Sequence, residues 1–293
     1  MGELLMFNKI QAIRYASTEV YVITWNDTLA YARNLMMRHN ISRLVVVEDK
    51  KPVGIISQRD LLSAISKLDS DFEGRNLDEI LIKDIISRNI KTLDTNASVK
   101  DACKLMNGQN IGSVVLTDNN KNLAGIFTKT DAIKAFTEYG SGKWKVIDIM
   151  EKVVTTINRF QSLKKAIDLF VHDRADIIIV TDNKVPIGVI SLKNILTYRV
   201  DLLLKSRSIK YTRAKGGIEE SSFTEIGGKI KQQPLVEDLM TPLQNAVGEN
   251  DDLVKAASLM LKFGVSGMPV VDNLGTLVGV VTKTNIVSLI SKV

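Results

Sequence analysis

Four copies of one short segment carry side chains that could bind a phosphate and a sugar. In each copy a glycine opens a short apolar run, a serine or threonine ends it, and an aspartate or asparagine follows three residues later. The segments span residues 54–60, 125–131, 188–194 and 279–285. Their hydroxyl residues are Ser57, Thr128, Ser191 and Thr282, and their acidic or amide residues are Asp60, Asp131, Asn194 and Asn285. Because the figure recurs, the fold must be read from the repeat and not from the whole length.

These residue types suit a nucleoside phosphate if each hydroxyl marks the start of a helix. A helix N-terminus offers unpaired N–H groups and partial positive charge to a phosphate, and the hydroxyl adds a donor beside it. A carboxylate on the first turn, as in Asp60 and Asp131, accepts hydrogen bonds from both hydroxyls of a ribose. Asn194 and Asn285 offer one acceptor and one donor, so they would hold the sugar less strongly.

The same pattern also has a purely structural interpretation. A serine or threonine followed three residues later by an acid is a capping box, in which the hydroxyl caps the helix and the acid returns to the cap's own N–H. For a single isolated copy, capping is the more common use. The two roles are compatible in different copies, so both stay open.

The elements around the segments repeat with them. Apolar stripes at offsets of 0, 3, 6 and 7 residues place four side chains on one face of a helix. The stripes begin at Leu29, Val99, Leu163 and Leu253. A short strand precedes each stripe and two β-rich runs follow it, the second leading into another helix, which gives the order β-α-β-β-α. One such unit has too small a core to be comfortable alone, so an α+β fold of paired repeats is expected.

A glycine-containing linker divides the chain into two pairs of repeats. Residues 139–143 read Tyr-Gly-Ser-Gly-Lys, which favours a boundary there between a first module at 1–141 and a second at 142–293. The repeats are predicted at about 17–68, 83–139, 146–200 and 236–293. The insertion at 201–234 is interpreted as an extension of the preceding helix followed by a loop or hairpin.

Composition limits the classes of protein that fit. The chain has 45% apolar and 25% charged residues, no run of 18 apolar residues, and no convincing signal peptide. Cys103 is the only cysteine, which favours a reducing compartment, so a cytoplasmic protein with no membrane partner is expected. Neither His39 nor His172 has a metal-ligand spacing or a catalytic motif around it, so we expect no enzyme, no metal and no catalytic cofactor.

The repeat resembles the CBS domain, present as four copies in two tandem pairs, or Bateman modules. The resemblance is carried by the helical Leu-x-x-Ala-x-x-x-Met stripe, by strand ends such as Val270-Val271-Asp272, and by the segments of the first paragraph. Asp-Leu-Met-Thr-Pro at 238–242 also resembles the family's lead-in to a repeat. A four-copy chain is similar in layout to the γ subunit of AMP-activated protein kinase, in which two modules close into a disc.

The resemblance implies that paired repeats form clefts for AMP, ADP or ATP, with S-adenosylmethionine as the alternative ligand. It implies that the base is held by the strand before the first helix of the partner repeat. The residues at that position are Val22, Thr92, Thr156 and Ala246, of which only the two threonines match the family. Crossing the pairs predicts the best sites at Asp60 with Thr92 and at Asn285 with Thr156.

The resemblance also assigns candidate phosphate contacts besides the four hydroxyl residues. Arg43 lies where the kinase γ subunit carries a phosphate-binding arginine, and Arg59 is expected to assist it. Thr130 and Thr284 fill the family's second threonine position, where the third repeat has Lys193. Asp176 is expected to repel phosphate in its own cleft.

The chain is thus expected to be a regulatory protein that senses adenine nucleotides. A nucleic-acid-binding protein that uses the basic segment 201–233 is allowed but not favoured, because such charge runs are usually solvated faces. A protein-interaction module with empty clefts is the other alternative. The ligand, a homodimer and a regulated protein partner all stay open.

Overall fold

The computed structural model describes residues 6–67, 76–86, 88–183, 185–198 and 234–293, together with the backbone of three short strands between 208 and 232. An N-terminal helix, α1 (Met6–Lys9), precedes four repeats of the predicted order. The first repeat contains β1 (Val22–Ile23), α2 (Leu29–Arg38), β2 (Arg43–Glu48), β3 (Lys51–Ser57) and α3 (Gln58–Ser66). The second contains β4 (Thr92–Asp94), α4 (Val99–Gly108), β5 (Ser113–Thr117), β6 (Leu123–Thr128) and α5 (Lys129–Tyr139).

The second half of the chain repeats this order with one insertion. The third repeat contains β7 (Thr156–Asn158), α6 (Leu163–Val171), β8 (Ile178–Asp182), β9 (Val185–Ile190) and α7 (Leu192–Thr197). The insertion contributes β10 (Ser208–Ile209), β11 (Phe223–Ile226) and β12 (Lys229–Gln232). The fourth repeat contains α8 (Val236–Leu239), β13 (Thr241–Pro242), β14 (Val247–Gly248), α9 (Leu253–Phe263), β15 (Gly267–Val271), β16 (Leu277–Thr282) and α10 (Lys283–Lys292). The α+β fold predicted from the sequence is confirmed.

Each repeat has a small sheet in which a parallel pair of strands is joined to an antiparallel hairpin. In the second repeat β4 runs parallel to β5, with Thr92 opposite Val115, and β5 runs antiparallel to β6. The strand β13 adds to the third repeat's sheet by pairing with β9. In the insertion β11 and β12 pair antiparallel, which favours the hairpin over the loop, whereas the predicted helix extension lies outside the described residues.

The repeats of a module pair through the segment that precedes the first strand of each repeat, called the lead-in below. Each lead-in contacts the first helix of the other repeat. The first residue of that helix donates its backbone N–H to a carbonyl of the partner's lead-in: Leu29 to Ile80, Val99 to Ile10, Leu163 to Pro234, and Leu253 to Trp144. These bonds occupy N–H groups that a helix N-terminus leaves without an internal partner. The exchange joins the first repeat to the second and the third to the fourth, so the chain has two modules.

Sheets pack within a module, and helices pack between modules. Val45 of the first repeat meets Val115 and Ile126 of the second, and Ile179 meets Val280 in the other module. Two larger apolar clusters unite the first repeat with the third and the second with the fourth. The helical stripes predicted from the sequence supply their centres: Leu29, Ala32, Met36, Val99, Ala102, Met106, Leu163, Ala166, Phe170, Leu253, Ala256 and Met260 are all buried. Burial of one such leucine or phenylalanine contributes about 1.5–3 kcal/mol.

Candidate functional site

A cavity of about 1200 Å³ lies where the four repeats meet. Each repeat sends to it the start of its last helix or the loop before its central strand. Seven basic and four acidic side chains line it: Arg43, Arg59, Lys91, Lys129, Arg174, Lys193, Lys283, Asp60, Glu151, Asp173 and Asp176. The excess of positive charge favours an anionic ligand.

The four repeated segments all cap helices, as the structural interpretation predicted. In each, the backbone N–H of the hydroxyl residue donates to a side-chain oxygen three residues later: Ser57 to Asp60 (2.8 Å), Thr128 to Asp131 (2.9 Å), Ser191 to Asn194 (2.9 Å) and Thr282 to Asn285 (2.7 Å). The hydroxyl of each donates to the same oxygen. One atom of every acidic or amide group is therefore committed to the helix start.

The four sites differ in the partner of the second oxygen or nitrogen atom of that side chain. Asp131 Oδ1 accepts from Lys134 Nζ at 2.9 Å, and the Asp131 side chain is only 4% exposed. The amide nitrogen of Asn194 donates to Thr241 Oγ1 at 3.3 Å, and that of Asn285 donates to Glu151 Oε1 at 2.7 Å. Asp60 Oδ1 alone has no hydrogen-bond partner among the residues that the structure describes, and Asp60 lines the cavity.

The cavity gathers nine of the sequence-predicted site residues. They are Ser57, Asp60, Ser191, Asn194, Thr282, Thr130, Thr284, Arg43 and Arg59. Thr128, Asp131 and Asn285 stand at the same helix starts but outside its lining, which in Asp131 follows from burial and the Lys134 ion pair.

The four residues predicted to hold a base lie outside the lining of the cavity. Val22, Thr92 and Thr156 are exposed, and Ala246 is half-buried. Lys91 and Thr155, one residue earlier in the chain, line the cavity instead. Because neighbouring residues of an extended chain point in opposite directions, an alignment shifted by one residue exchanges the side chains that face a ligand.

Arg43 reaches across the first module toward the second repeat. Its Nη1 donates to Ser42 Oγ at 3.0 Å, and its Nη2 lies 1.9 Å from the position that a Cβ on Gly112 would occupy. Only a glycine at 112 therefore leaves room for this guanidinium. Burial lowers the pKa of Arg43 despite the opposing influence of Asp60 and Asp176.

The Arg59 guanidinium is engaged by backbone carbonyls and is therefore less available to a phosphate than a free arginine would be. Its guanidinium donates to the carbonyl of Phe170 at 2.6 Å and to that of Ala175 at 2.9 Å. Both carbonyls belong to the C-terminal end of α6 or the loop after it, where a cation is favourable. Arg59 therefore ties the first repeat to the third.

Two lysines join the second and fourth repeats by a reciprocal exchange. Lys129 Nζ donates to Thr284 Oγ1 at 2.5 Å, and Lys283 Nζ donates to Thr130 Oγ1 at 3.0 Å. Burial, with a further contribution from Arg43, lowers the pKa of Lys283 to about 8. Burial also lowers the pKa of Lys129, although Asp176 opposes the shift. Lys129, Lys283, Arg43 and Arg59 are called the central cluster below.

Asp176 stands within this cluster. Its Oδ2 lies 3.3 Å from Lys129 Nζ and accepts a hydrogen bond from the Thr284 hydroxyl, and its Oδ1 lies 3.7 Å from Arg59 Nη2. Burial alone would raise the pKa of Asp176, but Lys129, Thr284 and Arg59 together lower it. The carboxylate that was expected to repel phosphate thus pairs with cations of two other repeats and accepts a hydrogen bond from the remaining one.

Lys129 and Lys283 were not predicted as site residues, although the sequence contains a signal for them. Only the second and fourth repeats read Thr-Lys-Thr at this helix start, at 128–130 and 282–284. The identity of the two triplets matches the reciprocal contact that the structure shows. Among the described residues, no group of three metal-ligating side chains occurs and no helix is long and apolar enough to cross a membrane.

Comparison with protein families accounts for most of the chain. The model of the CBS domain matches residues 12–67, 82–138, 146–201 and 236–292. Among curated proteins, MJ1232 of Methanocaldococcus jannaschii is 33% identical over 116 residues, which are 40% of this chain and 36% of that protein. MK0525 of Methanopyrus kandleri is 34% identical over 100 residues, which are 34% of this chain and 48% of that protein. The chain thus spans between a third and a half of these relatives.

Solved structures match over nearly the whole chain. The structure of MJ1225 from M. jannaschii, described as a proposed archaeal homologue of g-AMPK, covers 96% of this chain and 99% of its own with a TM-score of 0.76 and 18% identity. A conserved protein from Pyrococcus horikoshii covers 96% of this chain and 100% of its own with a TM-score of 0.63 and 16% identity. These matches confirm the four-repeat layout expected from the sequence.

Proposed function

Since the chain belongs to the CBS-domain family, we propose that it is a non-catalytic regulatory protein that binds adenine nucleotides in the clefts between its paired repeats. The observation that carries the proposal is the Oδ1 of Asp60, which has no hydrogen-bond partner among the described residues and belongs to a side chain that lines a cavity rich in cations. A carboxylate oxygen in that position can accept a charge-assisted hydrogen bond from a ribose hydroxyl.

The part of the cavity around Asp60, called the Asp60 cleft below, also contains residues suited to the base and the phosphate of a nucleotide. Ile55, Ile90 and Val115 provide an apolar surface for a base beside the polar residues. Arg43 provides a guanidinium for the phosphate, and in the described part of the chain it has no ion-pair partner. Lys283 adds a second cation, whose only described hydrogen bond goes to Thr130.

The charge of the cavity favours a nucleotide over S-adenosylmethionine. The sulfonium of S-adenosylmethionine is a cation, and like charges at short range repel. The phosphate of AMP, ADP or ATP is instead complementary to the central cluster. The side chains of the basic segment 201–233, on which a nucleic-acid-binding function would rest, lie outside the described residues.

A ligand that bridges two repeats can regulate only if it binds one arrangement of them better than another. In this chain such an arrangement is defined by contacts that cross between modules, including those of Arg59 and Lys129. We infer that nucleotide binding near these residues changes the relative disposition of the repeats.

Calorimetry with AMP, ADP, ATP and S-adenosylmethionine tests the proposal. We expect at least one nucleotide to bind, Asp60→Ala to weaken it strongly, and Asn285→Ala to have little effect, because Asn285 is engaged by Glu151. Absence of binding by all the nucleotides would contradict the proposed function and favour an interaction module with empty clefts.

A further inference from the structure

The central cluster is only partly available to a ligand, because Asp176 occupies some of it. Lys129 and Arg59 both lie within 4 Å of the Asp176 carboxylate. Arg43 and Lys283 form no ion pair within the described ranges and face the same cavity. The single Asp176 carboxylate thus engages two of the four cations and neutralises one of their two charges, and Arg43 and Lys283 are left for an anion from outside.

This division limits how much negative charge the site accepts. A phosphate monoester carries between about −1.5 and −2 charges near neutral pH, which two cations can balance. A triphosphate carries more than they can balance. Where its additional phosphoryl groups extend toward Lys129 and Arg59, they must either lie close to the Asp176 carboxylate or displace it from these two cations. Both are unfavourable, the first by repulsion and the second because a half-buried carboxylate loses its partners.

We propose that Asp176 is a specificity-determining residue, which makes the central cluster select a nucleoside monophosphate over a nucleoside triphosphate. The carboxylate acts as a built-in anion that a longer phosphate chain must compete with. The inference rests on the proposed function, since it concerns the phosphate end of the same nucleotide site. It goes beyond that function by naming the ligand class and the side chain that sets it.

The position of Asp176 in the fold supports a role in selection. It belongs to the loop between α6 and β8 of the third repeat, whereas its partners Arg59, Lys129 and Thr284 belong to the other three. The carboxylates of Asp60 and Asp176 both interact electrostatically with Arg43 and raise its pKa against the effect of burial. The carboxylate also shares its cavity with the cation proposed to receive the phosphate.

The test compares AMP and ATP affinities of the full chain by calorimetry in wild-type, Asp176→Asn and Asp173→Asn proteins. Asp173 is a matched control, because it carries the same charge and lines the same cavity from the same loop. For Asp176→Asn we expect ATP affinity to rise by about tenfold or more and AMP affinity to change by less than about threefold. Asp173→Asn should leave the ratio of the two affinities within about twofold of the wild type.

Equal changes in AMP and ATP affinity, or an unchanged ATP affinity, would overturn the role of Asp176 while leaving the proposed function intact. Wild-type protein that binds neither nucleotide would instead overturn the proposed function and this inference with it. If Asp176→Asn shows no cooperative thermal transition and therefore does not fold, Asp176→Ser carries the same test, because it also removes the carboxylate. A similar shift of the ratio in Asp173→Asn would also count against a specific role for Asp176.

Discussion

The helix starts at Asp60 and Asp131 are built from the same motif in one module, yet they present different atoms to a ligand. Both carboxylates cap a helix with Oδ2. The Oδ1 of Asp131 accepts a hydrogen bond from Lys134, whereas the Oδ1 of Asp60, a residue that lines the cavity, has no hydrogen-bond partner within the described ranges. The residue three positions beyond Asp60 is Ser63, which cannot form such an ion pair. The availability of a binding atom therefore depends on neighbours outside the motif.

The difference between the two helix starts is tested most directly by removing the carboxylate charge of Asp60 in one variant and that of Asp131 in another. Asp60→Asn keeps the cap, as Asn194 and Asn285 show, but converts the free oxygen into an amide nitrogen. We expect nucleotide affinity to fall by between about tenfold and a hundredfold, which is typical of a lost hydrogen bond to a charged group. Calorimetry measures it, and Asp131→Asn is the control, with no more than about a twofold change expected. Equal losses in the two variants would contradict the comparison.

A variant that displaces the Arg43 side chain without replacing it tests whether Arg43 binds the phosphate of the nucleotide. A Cβ at position 112 would collide with Arg43 Nη2, which is the far end of a flexible side chain, so Gly112→Ala should move the guanidinium and leave the fold intact. We expect AMP affinity to fall by about tenfold. Gly108→Ala is the control, since open space surrounds that position. The role of Arg43 is wrong if the two alanine variants bind AMP equally well.

Asp131→Asn should lose more stability than Asp60→Asn, although Asp60→Asn should lose more nucleotide affinity. Asp131→Asn turns an acceptor into a donor that faces the Lys134 ammonium, so we expect the free energy of unfolding to fall by about 1 kcal/mol. Asp60→Asn disturbs no comparable contact and should cost less than about 0.5 kcal/mol. Urea unfolding at neutral pH measures both. A larger loss for Asp60→Asn would show that its carboxylate is structural.

The smallest expected effect is a pH dependence of AMP binding. With a pKa of about 8, Lys283 is about nine-tenths charged at pH 7 and about one-tenth charged at pH 9. The charge of the AMP phosphate changes little over this range, so its affinity should fall about threefold as the pH rises and the lysine loses its charge. Lys283→Gln should flatten the change. A persistent decrease in that variant would assign the titration to another group.

Much of the fold followed from the sequence, because the repeat aligned four weak patterns in one register. Stripes such as Leu29, Ala32 and Met36 specify their helix and its buried face locally. The site followed less completely. The positions of Lys129, Lys283 and Asp176 depend on how two modules pack, which is set by residues far apart in the chain. The prediction that Thr92 holds a base depends on a one-residue register that periodicity does not fix, since Lys91 lines the cavity and Thr92 does not.

The most direct test of the account is a crystal structure of the protein with AMP. We predict that AMP lies in the Asp60 cleft, with a ribose hydroxyl within hydrogen-bond distance of Asp60 Oδ1 and its phosphate beside Arg43. The Asp131 carboxylate should remain paired with Lys134. AMP held by Asp131, or a ribose that makes no contact with Asp60, would contradict the account.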